Sequence, residues 1–221
     1  MEKVLNFLKD LSLNNNKEWF DAHKGEYMVV KDYITTFTQS LLNAVSTFDP
    51  EARYLTPSQC TYRIYRDTRF SADKTPYKDH IGIFINPPQG KKSYRMGYYL
   101  HLQPGACEIG AGNVCLPSKL ITDIRTSIRD NIDEYLAIIR KPEFKRLFPS
   151  IGFNCVKTAP KGFSKDWEYI ELVKPRDFYV SHTLKDKEVT AKNFTEKAAE
   201  IFEVTKPFCD FLNYTIDDFS E

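Results

Sequence analysis

Met96-Gly97-Tyr98-Tyr99-Leu100-His101-Leu102-Gln103 is the stretch that decides the fold class. Met96, Tyr98, Leu100 and Leu102 alternate with Gly97, Tyr99, His101 and Gln103, the two-residue period of a strand with one buried face. Upstream, Ile81-Gly82-Ile83-Phe84-Ile85 is a short apolar run stopped by Pro87-Pro88, and residues 87–93, with Gly90, make a polar turn. Further upstream, Thr61-Tyr62-Arg63-Ile64-Tyr65-Arg66 is rich in β-branched and aromatic residues and is predicted as a strand. Downstream, Ala106 to Val114 is a further strand candidate, loosened by Gly105, Gly110 and Gly112. Successive strands with short links and no helix between them predict an antiparallel sheet.

Helical patterns flank this run. Phe20, Tyr27, Ile34, Leu41 and Phe48 recur every seven residues, and His23, Val30, Phe37 and Ala44 follow the first four by three. That spacing predicts one long amphipathic helix over residues 15–48. Asn14, Asn15 and Asn16 offer capping oxygens at its start, and Asp49-Pro50 ends it. A short helix over Lys3 to Leu11 precedes it. After Pro117, the stripe Leu120, Ile124, Ile128, Ile132, Tyr135 and Ile139 predicts a helix ending near Arg140. Shorter helices are predicted over Glu143 to Phe148 and Asp166 to Val173, and strands over Phe153 to Lys157 and Asp177 to His182. Phe194, Ala198, Ile201, Thr205, Phe208 and Leu212 mark a C-terminal helix that Pro207 should bend. The expected fold is α+β, a mainly antiparallel central sheet packed with long amphipathic helices from both termini and the middle. No repeat, low-complexity tract or linker interrupts it, so one domain over residues 1–221 is the simplest organisation.

Composition narrows the function. A net charge of +1 supplies no global basic field, which speaks against a nucleic-acid partner. Five scattered cysteines without a Cys-x-x-Cys pair read as reduced thiols, and the N-terminus lacks the apolar run of a signal peptide. No segment approaches the roughly 18 apolar residues of a membrane span. A cytoplasmic protein without a membrane partner is expected, and its oligomeric state is left open.

The most unusual stretch is Thr61-Tyr62-Arg63-Ile64-Tyr65-Arg66-Asp67-Thr68-Arg69-Phe70-Ser71-Ala72-Asp73-Lys74-Thr75-Pro76-Tyr77-Lys78-Asp79-His80. It interleaves three arginines, two lysines and three aspartates with three tyrosines and a phenylalanine. On a strand, Tyr62, Ile64 and Arg66 share one face and Arg63 and Tyr65 the other. Arg66 then ends an apolar face, where a guanidinium must be paired or must serve a ligand. Asp67 and Asp73 are its natural internal partners.

The run Arg63-x-x-Arg66-Asp67-x-Arg69-Phe70-x-x-Asp73-Lys74-x-x-Tyr77 resembles the signature of the DUF2461 family of conserved hypothetical proteins. Asn15-Asn16-Lys17-Glu18-Trp19-Phe20-x-x-His23-Lys24 looks like that family's N-terminal motif, and Pro160-Lys161-Gly162-Phe163 resembles its later turn. The resemblance covers nearly the whole chain. It brings no established catalytic residue with it.

Three functional readings follow from the residues. In the first, Arg63, Arg66 and Arg69, with Lys74, Tyr77 and Lys78, grip an anionic small molecule bearing a phosphate or carboxylate. In the second, the same cluster serves an enzyme acting on a phosphorylated or nucleotide-like substrate, with Asp67, Asp73 or His23 moving protons. In the third, the charges clamp a loop in a non-catalytic partner-binding scaffold. The ligand readings expect the three arginines around one pocket; the scaffold reading expects them spent on carboxylates with no hollow nearby. His23 also reads as a core histidine bonded to a backbone group, and Trp19 and Phe20 as core anchors. His80, His101 and His182 fall in no metal-binding pattern, and no metal is expected. No Gly-x-Gly-x-x-Gly, Gly-x-x-x-x-Gly-Lys or Gly-x-Ser-x-Gly motif occurs, and no cofactor is expected.

Overall fold

The computed structural model describes residues 1–220; Glu221, the last residue of the expected domain, lies outside them. Four strands, β1 (Ile81–Ile85), β2 (Gly97–Leu102), β3 (Cys107–Asn113) and β4 (Phe178–Leu184), form one antiparallel sheet in the order β1-β2-β3-β4. The helices are α1 (Glu2–Leu13), α2 (Lys17–Ala22), α3 (Lys24–Val45), α4 (Pro57–Cys60), α5 (Ser118–Asp130), α6 (Ile132–Ile139), α7 (Pro142–Leu147), α8 (Asp186–Val189) and α9 (Phe194–Ser220). Short 3-10 helices span Pro50–Tyr54 and Ile170–Val173. The fold is α+β. Among the described residues, no helix is long and apolar enough to cross a membrane.

The helices expected over residues 15–48 and after Pro117 are each broken by one residue. His23 separates α2 from α3, and Asn131 separates α5 from α6. At His23, Nδ1 meets the Trp19 carbonyl at 2.8 Å; a carbonyl only accepts, so Nδ1 carries the proton. At Asn131, Nδ2 donates to the Ser127 carbonyl at 3.0 Å, and at the end of α1 Asn14 donates to Asp10 in the same way at 2.9 Å. Each side chain takes the carbonyl four residues back, while its own backbone leaves the helical region (ψ 16°, 39° and 40°). At His23 and Asn131 that carbonyl also accepts the residue's own backbone amide at 3.0 Å, so the side chain is a second donor to one oxygen in the closing turn, where the backbone leaves the helix. α9, by contrast, remains helical through Pro207.

The residues cluster into two compact units, each assembled from separated chain segments. The first comprises residues 1–91, 99–109 and 183–200. Here α1 packs on α3, burying Leu8 and Leu11 with Leu41, Leu42 and Val45. Asn16 caps α2, its side-chain oxygen accepting from the Trp19 amide at 2.9 Å. Phe20 is buried from the same helix, and its ring stacks on Tyr77 at 4.0 Å.

The second unit comprises residues 92–98, 110–182 and 201 onward. Its core is aromatic: Tyr135 meets Phe211 at 5.1 Å, and Phe144 meets Phe208 at 5.6 Å. Asn213 completes the backbone hydrogen bonding of Met96, accepting from its amide at 2.6 Å and donating to its carbonyl at 3.1 Å. Gly112, at φ 125°, lies where a Cβ would come within 2.0 Å of the Phe178 carbonyl oxygen. Only glycine allows that approach between β3 and β4.

Candidate functional site

Residues 61–66 do not form the expected strand. Their pairing is confined to two isolated antiparallel bridges, Thr61 with Ile83 and Tyr65 with Tyr77. The Arg66 amide donates to the Pro76 carbonyl at 2.9 Å, and the Lys78 amide to the Ile64 carbonyl at 2.8 Å. The segment therefore pairs with its own continuation. Pro76 has no N–H to return, so a ladder cannot grow through it.

The intervening loop is held by its own charges. Asp67 accepts from Arg69 Nε at 2.9 Å and Nη2 at 2.7 Å. Asp73 accepts from the Thr75 amide at 2.9 Å, from the Thr75 hydroxyl and from Arg66 Nη1. Lys74 Nζ donates to the Thr68 carbonyl at 2.8 Å. The hydrogen bond from the Thr75 backbone, then that from Arg66, holds the Asp73 carboxyl down at about 2. Arg69 lowers Asp67 likewise.

A hollow of about 420 Å³ opens beside this loop. Arg66, Tyr77, Lys78 and His80 line it, with Ser12 and Asn15 from the chain around the end of α1. Asn15 sets the position of this wall. Its side chain donates to the Tyr77 carbonyl at 2.9 Å and accepts from the Tyr77 amide at 3.1 Å, as a neighbouring strand would. Arg66 uses only Nη1, for Asp73 and Thr75, so Nε and Nη2 are left without a partner among the described residues. Lys78 is half-buried, and its ammonium has no hydrogen-bonding or acidic partner among the described residues; Nζ lies over the Tyr62 ring, 5.3 Å from its centroid. Burial, then the charge of Arg63, lowers its pKa.

Of the residues singled out in the sequence, Arg66, Asp73, Tyr77 and Lys78 come together at the hollow. Arg63 is exposed and is not part of its lining; Arg69 and Lys74 are spent on Asp67 and Thr68. His23 stacks on Trp19 at 4.0 Å and bonds its carbonyl, away from the lining. Among the described residues, no three His, Cys, Asp or Glu side chains are grouped to hold a metal.

A polar relay behind the hollow was not anticipated. Asp79 Oδ1 bonds His80 Nδ1 at 3.0 Å, and Asp79 Oδ2 accepts from Gln103 Nε2 at 3.0 Å. Gln103 Oε1 bonds His101 Nε2 at 2.9 Å, and His101 Nδ1 bonds the Tyr99 hydroxyl at 3.0 Å. His80 and His101 stack at 4.4 Å. The signal was present in β2, whose alternation puts Tyr99, His101 and Gln103 on one face. The partner Asp79 lies 24 residues earlier, and only the fold joins them.

The match to a family model covers residues 3–211 and carries the description conserved hypothetical protein DUF2461. The chain belongs to the DUF2461 family. No curated protein and no solved structure matches it. In this DUF2461 protein the motif residues Arg66, Asp73 and Tyr77 all border the hollow, whereas Asp67, Arg69 and Lys74 of the same motif close the loop on itself.

Proposed function

We propose that the hollow binds an anionic small molecule bearing a phosphate or carboxylate. The observation that carries this reading is Lys78: a half-buried ammonium with no acidic partner among the described residues, at the wall of a hollow. A charge withdrawn from water without a counterion is unfavourable, and a bound anion removes the penalty. Arg66 adds two unengaged guanidinium nitrogens, held in register by Asp73 and Thr75. Tyr77 and Asn15 supply the floor. The Asp67–Arg69 and Lys74–Thr68 contacts are the architectural part of the motif and take no part in binding. The small net charge, +1, gives a nucleic acid no field to follow, and the reduced cysteines suit the cytoplasm.

Thermal unfolding at rising concentrations of inorganic phosphate tests the reading. A ligand that binds only the native state raises Tm with its concentration. The wild-type midpoint is expected to rise with phosphate, and that of Lys78→Ala to rise much less. Equal rises in the two proteins, the signature of a general salt effect, would exclude this site.

A further inference from the structure

We propose that this hollow hydrolyses phosphate monoesters, with His80 as the catalytic residue that moves the proton and Asp79 as the positioning residue behind it. The inference rests on the anion-binding reading and goes beyond it. The bond directions in the relay are forced. Asp79 only accepts, so Gln103 turns its NH2 to Asp79 and its oxygen to His101. His101 Nε2 must then carry a proton, and its Nδ1 lies 3.0 Å from the Tyr99 hydroxyl. Burial pushes Tyr99 up to about 12, so this hydroxyl keeps its proton across the working range. At the other end His80 Nδ1–H donates to Asp79, and the neutral ring's lone pair is on Nε2. Nε2 has no hydrogen-bond partner among the described residues, and His80 is part of the hollow's lining.

The ring is therefore held on two sides, by Asp79 at one nitrogen and by the stacked His101 over its plane. Here one nitrogen is oriented by a carboxylate and the other has no protein partner among the described residues, beside a hollow lined by Arg66 and Lys78 as well as Asp73 and Asp79, an arrangement a general base can use. Three groups set its charge besides burial: Asp79, which favours the imidazolium, and His101 and Lys78, which oppose it. Burial is the largest influence and lowers the pKa below the ordinary 6.5, so the ring is neutral and able to accept at neutral pH.

In the proposed step, Lys78 and Arg66 hold the phosphoryl oxygens. A water oxygen forms a bond to phosphorus while one of its protons passes to His80 Nε2. The phosphorus–oxygen bond to the alcohol breaks on the opposite side, the leaving oxygen takes a proton from solvent water, and His80 returns its proton to solvent. The products are the alcohol and inorganic phosphate, and the ring returns to its neutral state.

The test uses two probes on the full chain: inorganic phosphate for binding, by thermal shift, and 4-nitrophenyl phosphate for turnover, by release of 4-nitrophenolate. Wild type is expected to respond to both, with an acid limb in the rate whose midpoint lies below the ordinary histidine value. His80→Gln should keep the phosphate-dependent shift and lose about a hundredfold or more in rate. Asp79→Asn should lower the rate and move the acid limb to lower pH, because the carboxylate that favours the imidazolium is gone; an unchanged profile would overturn its positioning role. A phosphate shift without turnover above buffer, or His80→Gln at the wild-type rate, would overturn the catalytic inference and leave the binding reading intact. The absence of any phosphate shift in wild type would remove both.

Discussion

Asp73 accepts from the Thr75 amide, the Thr75 hydroxyl and Arg66, and its carboxyl is held at about 2 against an ordinary 3.8. Because the folded value lies below the unfolded one, the unfolded chain takes up the proton first as pH falls. The stability this carboxylate contributes is present above pH 3.8 and is lost towards pH 2. Asp67 and Asp130 are lowered too and act with the same sign. Asp73→Asn should therefore make the acid side of a Tm-against-pH curve shallower rather than flat. A variant curve that fell as steeply as wild type between those values would show that the Arg66–Asp73–Thr75 contacts do not hold the loop. In the proposed anion site the clamp fixes Arg66 while sparing two of its nitrogens.

Among the elements, asparagine side chains repeatedly stand in for backbone. Asn15 completes the hydrogen bonds of Tyr77 in the first unit, and Asn213 those of Met96 in the second. Tyr77 is buried, so losing its partner leaves an amide and a carbonyl unpaired. Asn15→Ala should destabilise the protein by about 2 kcal/mol in urea unfolding, within the range for leaving buried polar groups unsatisfied. A change below about 0.5 kcal/mol, the scatter of ordinary surface substitutions, would contradict that role.

The same elements show what periodicity can and cannot reveal. The alternation of β2 and the stripes of α3, α5 and α9 were legible because burial follows the local period of side chains. The breaks at His23 and Asn131 were not, because each depends on one side chain turning to a carbonyl four residues back, which leaves the apolar pattern untouched. Residues 61–66 carry strand-forming side chains, yet their pairing partner holds Pro76 and stops the ladder. Strand propensity describes a segment; a ladder needs a partner with amides to offer.

At the scale of the molecule, the family match spans residues 3–211, while the hollow and the relay lie wholly within the first unit. One wall of the site was legible in the sequence: Arg66, Tyr77 and Lys78 stand close together in the central motif. The other half was not, because Gln103 and His101 reach Asp79 only through the pairing of strands, and Ser12 and Asn15 only through the packing of α1. The motif's charges also divide by role in a way that composition conceals. Arg69 is closed by a carboxylate two residues away, whereas Lys78, with no carboxylate partner among the described residues, lines the hollow beside Arg66.

The most direct measurement is a crystal structure of the protein soaked in inorganic phosphate. The account predicts a tetrahedral density between Lys78 Nζ and the free guanidinium nitrogens of Arg66, with His80 Nε2 turned towards it. An empty hollow with Lys78 paired to a carboxylate of its own chain would contradict it.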